Sequence, residues 1–153
     1  MNVIEARILG GQLMEISGVV CLTTIQPDGY PHTRALFNFR NMKMFRRLWP
    51  FFKKHKDDYL IVFSTSTSSN KVAHIKANPK VSVYYCDSES GRGLTLIGDA
   101  VIEEGMAIKE EIWDPAWTFY YPRGISDPDF TVVSLKPTMA RYYYNLEHCD
   151  FKI

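Results

Sequence analysis

Apolar and polar residues recur along this chain with two different periods, and the changes of period mark out its elements. Over residues 3–16 the apolar positions Ile4, Ile8, Leu9, Leu13 and Ile16 fall at helical spacing, with Gly10 and Gly11 weakening the helix they define. The next stretch, GVVCLTTIQPDGYPHTRALFNF, shows strand-like runs on either side of Pro27-Asp28-Gly29, which predicts a β-hairpin. Along its second arm His32, Arg34, Leu36 and Asn38 point one way, and Thr33, Ala35, Phe37 and Phe39 the other. That arm therefore has a largely polar face and a greasy face. On spacing alone, Arg34 is expected to be solvated.

MKMFRRLWPFFKKHKDD predicts a helical excursion interrupted by Pro50, and DYLIVFST a buried strand. SSNKVAHIKANP predicts a short helix capped by serine, with Val72, Ala73 and Ile75 on its apolar side and Asn78-Pro79 ending it. KVSVYYC and GLTLIGDAVIEE are strands, the second with Gly98 as a bulge or close-packing point. MAIKEEIWDPAWTFYYP is helical and broken at Asp114-Pro115, and FTVVSLKP and TMARYYYNL are closing strands. Mostly consecutive strands with short helices inserted predict an antiparallel barrel or an α+β sheet, formed by one domain over residues 1–153. Neither G-x-G-x-x-G nor G-x-x-x-x-G-K-[ST] occurs, in keeping with that prediction.

Composition narrows the class. Charged residues are 23 % of the chain and the net charge is +1, so no strong electrostatic case exists for nucleic acid or an anionic membrane. Cys21, Cys86 and Cys149 are odd in number and form no C-x-x-C, which argues against a disulfide framework or a zinc site. The stretch MNVIEARILGGQLMEI lacks a secretory pattern, and no segment approaches transmembrane length. These features predict a soluble cytoplasmic protein. Aromatic residues reach 14 %, which suits a β-rich core, an aromatic-lined ligand site or a subunit interface.

The candidate chemistry lies in FSTSTSSNKVAHIKANPK. Hydroxyl side chains run from Ser64 to Ser69 and lead into a helix whose first turn contains Lys71. A cation there opposes the helix dipole, at a cost of about 0.3–1 kcal/mol for an exposed side chain. An anion at the helix N-terminus, phosphate above all, would turn that cost into an attraction. An ordinary serine cap beside a surface lysine is the competing reading. None of the histidines, His32, His55, His74 and His148, has metal-ligand spacing, and no metal site is expected. His74 is expected at the surface or in a dimer contact, while His32 shares the face of Arg34.

FSTSTSSNKVAHIKANPKVSVYYCD resembles the phosphate-binding stretch of the pyridoxamine 5'-phosphate oxidase-like, FMN-binding split-barrel family. There a strand ends in an F-x-T-type motif, a Ser-x-Lys segment opens a helix over the FMN phosphate, and an N-P-x-V segment starts the next strand. TTIQPDGYPHTRALFN resembles the family's opening hairpin, RGLTLIGDAVIEE its next strand, and WDPAWTFYYP, DPDFTVVSLKP and ARYYYN the general stress protein 26 branch. The resemblance implies a homodimeric, six-stranded antiparallel split β-barrel with FMN at the subunit interface, acting on a small-molecule substrate. Residue by residue, it implies that Arg34, Ala35 and Leu36 line the flavin and ribityl chain. Ser64 and Thr65 would sit below the ring, and Ser69, Asn70 and Lys71 would hold the phosphate. Gly93 stands where the oxidase has a flavin-contacting glutamine, and Trp117 or Tyr120 would close the site from the partner subunit.

The chain also departs from the oxidase pattern. Ser-Arg-Lys has become Ser69-Asn70-Lys71, Phe39 replaces a phosphate-binding lysine, and YYYNLEHCDFKI lacks the arginine motif for the pyridoxal substrate. True pyridoxamine phosphate oxidase activity is not expected. The resemblance implies an FMN-dependent oxidoreductase. The alternatives are a flavin-storing module without turnover, or a related barrel that binds a deazaflavin or haem.

Overall fold

The alternation in VVCLTTI sets the barrel's inner surface. In the computed structural model, which describes residues 1–153, strand β1 (Val19–Ile25) turns Val20, Leu22 and Thr24 inward. It pairs antiparallel with β2 (Pro31–Phe37) from Val19↔Phe37 to Ile25↔Pro31. The hairpin turn uses Gly29 at φ +87°, a left-handed conformation that suits glycine, and the Tyr30 amide donates to Asp28 Oδ1. This register decides the orientation of β2. Leu36, Arg34 and His32 oppose Val20, Leu22 and Thr24, so they turn inward with them. The expected alternation is present, but Arg34 lies on the half-buried face, and Phe37 on the greasy face is 67 % exposed.

The remaining strands are β3 (Ile61–Ser66), β4 (Lys80–Asp87), β5 (Arg92–Ile102), β6 (Phe130–Leu135), β7 (Met139–Tyr144) and β8 (Glu147–Lys152). All pairings are antiparallel, along the path β2-β1-β4-β5-β6-β3, with β7 joining β5 and β8 joining β7. The six-strand path curls into a half-barrel whose two end strands are β2 and β3. Strand β5 serves both β7 and β6: Gly93–Ile97 pair with β7, and Ala100–Ile102 pair with β6. Gly98 lies at the changeover. A Cβ there would meet Leu135 Cδ1 at 3.0 Å and the Lys136 carbonyl oxygen at 3.1 Å, so glycine provides the predicted close-packing point. Strand β8 has no Asn-Gly turn signal. It follows a tight turn in which Asn145 and Leu146 adopt φ of 51° and 63°.

Helix α1 (Val3–Ile16) closes the barrel with Ala6, Gly10, Leu13 and Met14. This is not the face its isoleucines predict, since Ile4, Ile8 and Ile16 are exposed. Gly10 explains the choice: an added Cβ would come within 3.3 Å of Leu94 Cδ1, so the small-residue face is the one that lies close on the sheet. Helix α2 (Trp49–Lys53) carries Pro50 in its first turn rather than being broken by it, because a missing N–H costs nothing there. Helix α4 (Met106–Ile112) and the short 3-10 turn Pro115–Phe119 are separated at Asp114-Pro115 as predicted. With α2 they cover a second apolar cluster outside the barrel, formed by Phe39, Leu48, Phe51, Phe52, Leu60, Val62, Ile112, Phe130 and Val132. No helix is long and apolar enough to cross a membrane.

Candidate functional site

The two ends of the strand path meet at a cavity of about 320 Å3. Ala35, Leu36 and Phe37 of β2 line it, with Phe63 and Ser64 of β3, and Val19 and Phe39 complete the wall. Three residues singled out from the sequence, Ala35, Leu36 and Ser64, meet here, and the lining contains no charged side chain. Phe39 is backed by Trp117, whose ring stacks on it with centroids 5.6 Å apart and planes 20° apart. Trp117 thus packs within its own subunit, against Phe39 and Phe130. Phe119 and Tyr120, beside it in sequence, stay exposed.

A polar group follows where β3 runs into α3 (Asn70–Ala77). The hydroxyl run divides there into two roles. Thr67 Oγ1 donates to the Pro128 carbonyl, and the Ser68 amide donates to Asp129 Oδ1, tying the loop to the segment before β6. Thr65 and Ser69 instead face each other, with Oγ1 and Oγ 3.3 Å apart. Ser69 is the N-cap of α3, yet its hydroxyl makes no capping bond. Lys71 Nζ donates to Thr65 Oγ1 at 2.8 Å. Asn70, the first residue of the helix, is exposed.

Arg34 completes the polar group. Its Nη1 donates to Thr24 Oγ1 at 2.7 Å and lies 3.5 Å from the Leu22 carbonyl oxygen, leaving Nε and Nη2 free. No carboxylate pairs with Arg34 or Lys71. Burial lowers the Arg34 pKa. The Lys71 ammonium is also held below its ordinary value, first by burial and then by the nearby charge of Arg34. Two half-buried cations therefore repel each other beside the Thr65 and Ser69 hydroxyls, an arrangement that an anion would relieve.

Two further inward residues, neither expected at a site from the sequence, lie beside this group. Thr24 is fully buried, and its Oγ1 lies 2.9 Å from His74 Nδ1. His74 is itself buried rather than at the surface, and it occupies the inner side of α3 with Val72 and Ile75, whereas Ala73 is exposed. The signal available was the inward position of Thr24 after Val20 and Leu22, directly across from His32. Gly93 stands apart on β5, three strands from β2 in the sheet order. A Cβ on Gly93 would lie 2.5 Å from the Tyr84 hydroxyl, so the ring of Tyr84 fills the space a side chain would need.

Comparison with known proteins accords with this architecture. The family model of pyridoxamine 5'-phosphate oxidase matches residues 12–144. A Clostridium acetobutylicum structure, of a protein related to general stress protein 26 of B. subtilis and of the pyridoxinephosphate oxidase family, is 32 % identical. It aligns over 97 % of this chain and 95 % of that one, with a TM-score of 0.76. A pyridoxamine 5'-phosphate oxidase-related, FMN binding protein from Nostoc punctiforme shares the fold at 16 % identity and a TM-score of 0.63, over 98 % and 94 % of the two chains. A heme binding protein from Mycobacterium smegmatis shares it at 16 % identity and a TM-score of 0.67, over 96 % of this chain and 57 % of that one. Among curated proteins none matches. The match along most of the chain, on a split barrel whose end strands enclose a cavity, places this protein in the pyridoxamine 5'-phosphate oxidase family.

Proposed function

We propose that the chain is an FMN-binding oxidoreductase that works as a cytoplasmic homodimer on a small-molecule substrate. The observation that carries this reading is the pair of half-buried, carboxylate-free cations, Arg34 and Lys71, at the polar end of the split whose other end is an apolar cavity. FMN has the matching form, a dianionic phosphate at one end and a flat apolar ring system at the other. The donors suit it: Lys71 has N–H groups to spare, Arg34 has Nε and Nη2, and the Thr65 and Ser69 hydroxyls lie between β3 and α3. In this reading Arg34, Ser69, Asn70 and Lys71 hold the phosphate, while Ala35, Leu36, Ser64 and Thr65 flank the remainder of the cofactor. When bound, FMN supplies hydride-transfer chemistry, and the protein's task is to bind it, orient it and exclude water.

Phe37, Phe39 and Phe63 would provide the dry wall, with Trp117 fixing Phe39 from behind. The cavity's lining holds no cation that could bind a substrate phosphate, so the substrate is proposed to be neutral there. A second copy of the chain is supported by the outer face of the sheet. Val19, Phe37, Tyr84, Ile97 and Tyr143 share that face by register and are 41–67 % exposed. Gly93 lies on the same face.

Anaerobic addition of NADH or NADPH to the FMN-loaded protein tests the activity. Bleaching of the flavin absorbance, followed by recovery with an electron acceptor, supports an oxidoreductase. A flavin that no donor reduces makes the protein a storage module, and a deazaflavin or haem spectrum in the purified protein replaces FMN as its ligand.

A further inference from the structure

Arg34 is held by a chain of side chains that the flavin reading leaves without a task. Thr24 Oγ1 accepts from Arg34 Nη1 at 2.7 Å and lies 2.9 Å from His74 Nδ1, joining β2, β1 and α3. A guanidinium can only donate, so one lone pair of the Thr24 hydroxyl is committed to Arg34. The hydroxyl hydrogen is then free to point at His74 Nδ1, which accepts it in the tautomer that carries its proton on Nε2. The donors run in one direction, from Arg34 to Thr24 to His74, and such chains strengthen one another in a buried setting. Thr24 and His74 are 0 % and 7 % exposed, so water does not replace either partner easily.

We propose that Thr24 and His74 are positioning residues that aim the Arg34 guanidinium at the anion site. This rests on the reading of Arg34 as a phosphate ligand. The chemistry explains why a threonine holds this arginine. Arg34 and Lys71 repel each other, and the long arginine side chain, unheld, would swing towards solvent. A carboxylate at residue 24 would hold it more strongly but would cancel the charge that a phosphate needs. A neutral hydroxyl, itself oriented by a buried imidazole, fixes one edge of the guanidinium and leaves Nε and Nη2 with their charge available. His32 lies across from Thr24, with its ring centroid 5.9 Å from that of His74, so the relay has a second imidazole as its wall.

The test is titration of the full-length wild type and its variants with FMN and, in parallel, with riboflavin, which lacks the phosphate. Thr24→Val and His74→Phe should each weaken FMN binding about five- to tenfold, the worth of one hydrogen bond. Riboflavin binding should not change. Thr24→Ser should restore FMN affinity to within about twofold, and the double variant should be no weaker than either single one, because the two act as a unit. Nitrogen NMR of the wild type should find His74 protonated on Nε2 with Nδ1 as acceptor. Wild-type FMN affinity in Thr24→Val, alongside a loss in Arg34→Ala, would overturn the relay and leave the flavin reading intact. Full affinity in Arg34→Ala would overturn the phosphate role of Arg34 and the relay with it. If Thr24→Val does not fold, the His74 tautomer decides: a proton on Nδ1 overturns the proposal.

Discussion

Replacing Lys71 with methionine should move affinity and stability independently. Lys71 has one hydrogen bond, from Nζ to Thr65 Oγ1, and no carboxylate partner. Burial and the charge of Arg34 hold its folded pKa below the ordinary 10.5. The sign follows directly. A base whose folded pKa is depressed costs stability wherever both states are protonated, and the cost vanishes as pH rises through the folded value and past the unfolded one. At neutral pH Lys71→Met removes that cost and also a hydrogen bond worth about 1 kcal/mol. The two changes oppose each other, so unfolding free energy should shift by less than about 1 kcal/mol. FMN binding should weaken by about 1.5–3 kcal/mol, the worth of a bond to a charged group, or about ten- to a hundredfold. Denaturant melts and FMN titrations of both proteins measure the pair. Unchanged affinity, or a stability loss above about 2 kcal/mol, would return Lys71 to an ordinary structural role.

Gly98→Val should destabilise the protein by about 1–3 kcal/mol, since the new side chain meets backbone at Lys136 and Pro137 as well as Leu135; a thermal melt at wild-type level would contradict that packing. Phe37→Asp, on the outer face, should leave the monomer folded and shift sedimentation from dimer to monomer, and a dimer that persists would mean the interface lies elsewhere. Asp87 is held down to about 2, first by Arg92 and then by Ser90. A depressed carboxylate contributes stability above its unfolded pKa, so wild type should lose stability as pH falls from about 4 towards 2, and Asp87→Asn should lose less over the same range.

Much of this architecture was legible in the chain. Period-two runs around Pro27-Asp28-Gly29 placed the first hairpin, and Asn78-Pro79 ended the short helix where the structure ends it. Ala35, Leu36 and Ser64 were named together from the sequence, and the structure gathers them around one cavity; Ser69 and Lys71, also named together, both meet Thr65. What stayed hidden depends on contacts distant in sequence. The inward face of β2 is decided by its register with β1, which turns Arg34 towards the barrel against the expectation from hydropathy. The buried side of α1 is decided by how closely Gly10 can approach Leu94, and the isoleucines give no hint of that. His74 reads as a polar helix residue until Thr24, 50 positions earlier, is seen to meet it. Strand β8 was hidden because Asn145-Leu146 makes its turn without glycine.

The proposed function stands on flavin binding, through its phosphate, at the split between β2 and β3. Calorimetric titration of the purified protein with FMN and with riboflavin tests it most directly. Saturation is expected at about one FMN per chain, with riboflavin binding weaker by about a hundredfold or more, since riboflavin leaves Arg34 and Lys71 unpaired. Equal affinity for the two, or no uptake of either, would contradict it.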